Sequence, residues 1–141
     1  MRYVDTSVLM AFLLPETGSQ RAERLMTSPG EALAFSSWTE VELLSALGIQ
    51  VRRKLITRSG ARKVVDAFAS LVAPALVRLA VDDNDHRMAA HMLDGWQTTM
   101  RAGDALHLAL VREYQAELWT FDRDMAKAAA HFGLRCQLMP G

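Results

Sequence analysis

Short β-leaning apolar runs and longer stretches of helical periodicity alternate along the whole chain, and that alternation leaves few folds open. Arg2-Tyr3-Val4, Leu33 to Ser36, Leu76 to Val81, Glu117 to Phe121 and Leu134 to Leu138 read as strands. Between them, helices are expected over Val8 to Leu14 (closed by Pro15), Glu16 to Met26, Ser37 to Leu55, Ala61 to Val72, His86 to Trp96, Ala105 to Tyr114 and Asp124 to His131. Val41, Leu44, Leu47, Val51 and Leu55 recur at three- and four-residue steps, which gives the longest of these its apolar stripe. Ser28-Pro29-Gly30 reads as a turn, and Arg58-Ser59-Gly60 as the break after the long helix. Strands separated by helices imply an α/β fold: a central, mostly parallel sheet with helices on both faces. At 141 residues the chain has room for one core, so residues 1–141 form a single domain.

Composition removes several classes. Half the residues are apolar and 23% are charged, which excludes a disordered or fibrous chain. The single cysteine, Cys136, cannot form an internal disulfide and is expected as core in the last strand. Sixteen Lys+Arg balance sixteen Asp+Glu, so bulk charge does not hold a nucleic acid, although a local patch remains open. Asp5 interrupts any apolar signal segment, and no apolar run approaches the ~20 residues of a membrane span. The expectation is a cytoplasmic protein without membrane attachment. The eight Met and three Trp are expected to fill the core, with Trp96 more exposed than Trp38 or Trp119.

The acids carry the chemical signal. In an open α/β sheet, ligands bind beyond the carboxyl ends of the strands. Asp5 follows the first strand, Asp122 follows the fourth, Asp104 opens an apolar helix, and Glu42 lies early in the helix after the second strand. These positions can meet at one edge. Clustered carboxylates repel one another unless a cation offsets them, and an oxygen-only set suits Mg²⁺ or Mn²⁺. Each acid also has a plain explanation alone: Asp5 and Asp104 as helix caps, Asp122 as a turn residue, Glu42 as a solvated helix acid. Glu40 and Glu42 are roughly 200° apart around a helix, so one of them at most faces the site. No histidine pair has zinc spacing.

Four segments in order resemble the PIN-domain ribonucleases, and by pattern the VapC-type toxins of bacterial toxin–antitoxin pairs. Tyr3-Val4-Asp5-Thr6-Ser7-Val8-Leu9 is similar to the family's first motif, and Ser36-Ser37-Trp38-Thr39-Glu40-Val41-Glu42-Leu43 to its second. Gly103-Asp104-Ala105-Leu106-His107-Leu108-Ala109 resembles the third, and Thr120-Phe121-Asp122-Arg123-Asp124 the fourth. The resemblance implies metal-dependent hydrolysis of RNA, with Asp5, Glu42 (rather than Glu40), Asp104 and Asp122 as catalytic ligands of Mg²⁺ or Mn²⁺. Thr6, Ser7, Thr120 and Asp124 would support those ligands; the hydroxyls of Thr6 and Ser7 are equally explained as caps.

Between Leu43 and Val65 there is no acid, while Arg52, Arg53, Lys54, Arg58, Arg62 and Lys63 supply a basic stretch that could follow an RNA backbone. A solvated face with cations at a helix C-terminus is the plain alternative. The same two helices carry more apolar surface than one face needs. The resemblance implies a VapB-type antitoxin helix laid into that groove, and a homodimer as the assembly. Two rivals from other classes fit less well. A receiver-like phosphoacceptor would want an acidic pair before the first helix and a late lysine, whereas the only lysines are Lys54, Lys63 and Lys127. A haloacid-dehalogenase-like phosphatase would want an Asp where Ser7 stands. A non-catalytic PIN-like binding module and a PIN nuclease of general RNA processing remain as alternatives.

Overall fold

The computed structural model describes residues 1–27 and 30–141; Ser28 and Pro29 of the expected turn lie outside the described residues. Five strands form one parallel sheet: β1 (Arg2–Val4), β2 (Leu33–Ser36), β3 (Val77–Leu79), β4 (Glu117–Thr120) and β5 (Cys136–Leu138), in the spatial order β3-β2-β1-β4-β5. The chain builds outward from β1 to β2 and β3, then crosses to the other side for β4 and β5. β1 pairs with β4 in the register Arg2–Glu117, Tyr3–Leu118, Val4–Trp119. The strand order reverses between these two, and α/β sheets open a ligand crevice at such a point.

Helices cover both faces, as the period of the sequence requires. On one face, Tyr3, Ala34, Leu79 and Leu118 pack against α5 (Asp83–Leu93), α6 (Ala102–Glu113) and α7 (Arg123–His131). On the other, Val4 and Phe35 pack against α1 (Thr6–Leu13), α2 (Ser19–Thr27) and α3 (Ser37–Arg52). The two side-chain sets alternate along each strand, so neighbouring residues such as Tyr3 and Val4 serve opposite layers. Seven successive residues of α6, Ala105 to Val111, are buried. A helix buried on all sides needs that near-continuous apolar run.

Several expected boundaries move. Arg58-Ser59-Gly60 is not the break after the long helix. It lies within α4 (Arg58–Ala67), whose cap is Thr57, with the Gly60 N–H donating to the Thr57 hydroxyl at 2.9 Å. The chain turns earlier, at Lys54, which takes a left-handed φ of +58°. After α4 the backbone widens into a π-type turn over Phe68–Val72 and a 3₁₀ turn over Ala73–Ala75, where Pro74 cannot continue the helix. The helix expected to reach Trp96 stops at Leu93, because Gly95 and Trp96 both adopt positive φ. Trp96 is 87% exposed, and Trp38 and Trp119 are not. Cys136 lies in β5 as expected, but half-buried at the sheet edge rather than in the core. No described helix is long and apolar enough to cross a membrane.

Candidate active site

Asp5 ends β1 and caps α1. Its Oδ1 accepts the Ser7 hydroxyl (2.6 Å) and the Val8 N–H (3.2 Å), and its Oδ2 accepts the Thr120 hydroxyl (2.5 Å). At 2% exposure it is a buried carboxylate. Burial pushes its pKa up, against the opposing pull of His107 and of these hydrogen bonds. Asp122 ends the loop after β4 and caps α7, its Oδ1 accepting the N–H groups of Asp124 (2.8 Å) and Met125 (3.1 Å). The Thr120 hydroxyl also receives the Asp122 N–H at 2.9 Å, so one side chain ties together both strand ends at the switch point.

Asp104 sits in the first turn of α6, where its Oδ2 accepts the Arg101 N–H at 3.0 Å. Its pKa is pushed up first by burial and then by the negative charges of Asp122 and Glu42. Asp104 therefore lies within electrostatic reach of both. Glu42 lies in the second turn of α3, its Oε1 bonded to the Thr6 hydroxyl (2.7 Å) and to Nε2 of His107 by a short contact. Burial raises the Glu42 pKa, but the bond and charge of His107 and the Thr6 bond outweigh it, so the net shift is downward. Glu40 points elsewhere and pairs with Arg78 of β3 at 2.5 Å.

Four sequence-expected ligands thus gather at one edge, with Thr6, Ser7 and Thr120 bonded to them. The Asp124 side chain makes no hydrogen bond to them among the described residues. The backbone of Asp124 contributes to the Asp122 cap, and its side chain is exposed. The basic residues stay apart. Arg52, Arg53, Lys54, Arg58, Arg62 and Lys63 are all exposed at the end of α3 and the start of α4. Ten residues of helix separate Glu42 from Arg52, roughly 15 Å of rise. Arg52, Arg58 and Arg62 rim a cleft of about 620 Å³ floored by Leu44, Leu47, Val51 and Val65.

Four functional neighbours were not singled out from sequence. Tyr3 and His107 are fully buried and bonded to each other at 2.6 Å. Gly103 lies so close to Glu42 that a Cβ there would stand 2.9 Å from Oε2 and 3.2 Å from the Trp38 indole nitrogen. That indole N–H is buried without a partner among the described residues. The available signal is a polar residue inside an apolar run, His in Ala-Leu-His-Leu-Ala; Tyr3, between Arg2 and Val4, carries none.

Among the described residues, no three His, Cys, Asp or Glu side chains already surround a single ion position. The donor set nevertheless fits a hard cation. It is all oxygen, it is mutually repulsive, and no hydrogen bond engages Glu42 Oε2, Asp104 Oδ1 or Asp122 Oδ2 among the described residues.

Comparison with family models matches residues 2–131 to the PIN domain. The chain belongs to the PIN-domain family. Solved structures share the fold of this PIN domain at low identity. The sarcin–ricin loop cleaving toxin VapC20 of Mycobacterium tuberculosis is 20% identical, covering 91% of this chain and 95% of its own, with a TM-score of 0.72. FitAcB from Neisseria gonorrhoeae is 18% identical over 96% of both chains, TM-score 0.76. VapBC2 from Rickettsia felis, solved on a fragment of promoter DNA, is 14% identical over 99% of this chain and 100% of its own, TM-score 0.72. No curated protein sequence matches the chain.

Proposed function

We propose that this PIN domain is a Mg²⁺- or Mn²⁺-dependent endoribonuclease and the toxin of a VapBC-type pair. One observation carries the reading: a buried carboxylate, Asp5, stands with Glu42, Asp104 and Asp122 at the switch point of the sheet. Capping alone does not account for it. An Asn caps a helix about as well as an Asp, without the cost of burying charge. Support also comes from the neighbours, one of them a sarcin–ricin loop cleaving toxin and another a toxin–antitoxin complex from Klebsiella pneumoniae.

Asp5, Glu42, Asp104 and Asp122 would hold the ion. A divalent cation there supplies Lewis acidity, lowering the pKa of a water and offsetting charge on the phosphate. Ser7 and Thr120 keep Asp5 in one rotamer, and Thr6 does the same for Glu42. Burial pushes the Cys136 thiol up to about 11, which leaves it a poor nucleophile. Water is then the attacking group. Its oxygen bonds to phosphorus and gives up a proton, the bond to the leaving ribose oxygen breaks, and that oxygen takes up a proton, so one water is consumed for each bond cut.

The cleft between α3 and α4 suits an antitoxin helix with an apolar face and acidic flanks that meet Arg52, Arg58 and Arg62. Leu44 of that floor is 54% exposed, and Leu55 at the end of α3, 64% exposed, adds further apolar surface. RNA would use the same cations only as a strand long enough to run from the carboxylates along α3. Family likeness implies a homodimer working in the cytoplasm.

A non-catalytic binding module is the second reading, favoured by the lack of a ready-made ion position among the described residues. Incubation of total RNA with purified protein and Mg²⁺ or Mn²⁺, against EDTA and Asp104→Asn controls, decides between them. Cleavage that needs metal and is lost in the variant supports the nuclease. Intact RNA under every metal, with no metal binding by calorimetry, leaves the binding module.

A further inference from the structure

We propose that Tyr3 and His107 are a positioning pair that determines which oxygen of Glu42 is free to ligate; this rests on the carboxylate reading above. His107 is 1% exposed in the middle of the seven-residue buried run of α6, where an apolar side chain would pack without any polar requirement. Both of its ring nitrogens are committed. Nδ1 meets the Tyr3 hydroxyl at 2.6 Å, and Nε2 meets Glu42 Oε1.

Tyr3, itself with no exposed surface, donates to Ser36 Oγ at 2.8 Å and lies 3.4 Å from Thr39 Oγ1. Ser36 caps α3 and Thr39 is in its first turn. The chain of polar contacts therefore leaves the start of α3, passes through β1 and α6, and returns to α3 at Glu42. A closed path through three elements fixes a side chain far better than a single bond, because no rotamer of Glu42 can change without breaking it.

The result is a division between two oxygens. Oε1 is occupied by His107 and Thr6. Oε2 lies against Gly103, the residue before Asp104, where a Cβ would come within 2.9 Å of it. Tyr3 and His107 thus hold the free oxygen of Glu42 toward the start of α6, the turn that carries Asp104. Neither residue touches the reacting atoms. Both act through Glu42.

The two His107 amide variants separate this role from simple core filling. A Gln side chain places its NH₂ where Nε2 stands and keeps the bond to Glu42. An Asn side chain reaches only the Nδ1 position, so it keeps the Tyr3 contact and loses Glu42. Free Mn²⁺ is read by electron paramagnetic resonance during titration, with Tm measured alongside. His107→Asn is expected to weaken Mn²⁺ binding about tenfold or more, the usual effect of losing a partner that orients a ligand, while His107→Gln stays within about threefold of wild type. Tyr3→Phe, which removes one hydroxyl, is expected to weaken binding about threefold and still melt cooperatively. Equal affinity in the Asn and Gln variants overturns the proposal, as does a wild-type value in His107→Asn. Should the Asn variant not fold, Tyr3→Phe with wild-type affinity overturns it instead. A wild-type protein that binds no Mn²⁺ overturns the metal reading, and this proposal with it.

Discussion

Replacing Gly103 by alanine separates the needs of the fold from the needs of the site. Gly103 occupies the first turn of α6, and an alanine there gains up to about 1 kcal/mol of helix propensity. The new methyl meets Glu42 Oε2 at 2.9 Å and the Trp38 ring at 3.2 Å. The first contact is too short to persist, so the carboxylate must move. It is the end of a side chain and not backbone, so the adjustment is confined to Glu42 and its partners. Yet Oε1 is tied to Thr6 and His107, so moving Oε2 strains or breaks a charged hydrogen bond of about 1.5 kcal/mol or more. The two terms nearly cancel, and Tm is expected within about 4 °C of wild type by either optical or calorimetric melting. Activity has no such compensation. A ligand displaced by about 1 Å costs on the order of a hundredfold in rate, read by metal-dependent cleavage of RNA. Full activity at unchanged Mn²⁺ affinity would refute the placement of Glu42 in the site. A Tm loss of more than about 10 °C would show that the contact serves packing instead.

Three further outcomes follow from the same geometry. Thr120→Val strips Asp5 Oδ2 and the Asp122 N–H of their shared partner, and chemical denaturation is expected to show a loss of about 2 kcal/mol together with weaker Mn²⁺ binding. Asp104 has a folded-state pKa above its unfolded value, so its contribution to stability is intact below the ordinary carboxylate range and is lost as pH rises through the folded value. In EDTA the Tm of Asp104→Asn should therefore match wild type near pH 3.8, exceed it increasingly above that, and level off; a difference that shrinks with rising pH contradicts the raised pKa that burial, and then the neighbouring charges, give Asp104. With its thiol raised from 9.0 to about 11, Cys136 should react with a disulfide reagent about a hundredfold more slowly at neutral pH than after unfolding in denaturant.

The α/β architecture was legible because the strands carry β-leaning residues and the helices carry a 3.6-residue stripe. β2 falls on Leu33–Ser36, as read from sequence. The end of α3 was harder. Arg58-Ser59-Gly60 contains the stronger breaker, but Thr57 is the better cap, and the turn is made by Lys54 in a conformation that a lysine rarely adopts. Asp5, Asp104 and Asp122 could be found because strand ends and helix starts are countable positions. Tyr3 and His107 could not, since a polar residue in a buried run reveals its partner only when β1, α3 and α6 are brought together. The basic stretch shows the opposite limit. Its composition was plain, whereas its distance from Glu42 depends on the direction in which α3 runs.

Three of the acids do double duty, since Asp5 and Asp122 cap helices and Asp104 closes the first turn of another. That overlap shapes how such a protein can change over generations. A lineage relieved of its chemistry would not drift freely at these positions, because alanine or valine there would fray a helix start by roughly 1 kcal/mol each. It would drift toward asparagine, serine or threonine, which keep the turn and drop the charge. An inactive descendant should therefore be betrayed by amides and hydroxyls at these three helix starts, in a fold otherwise undisturbed.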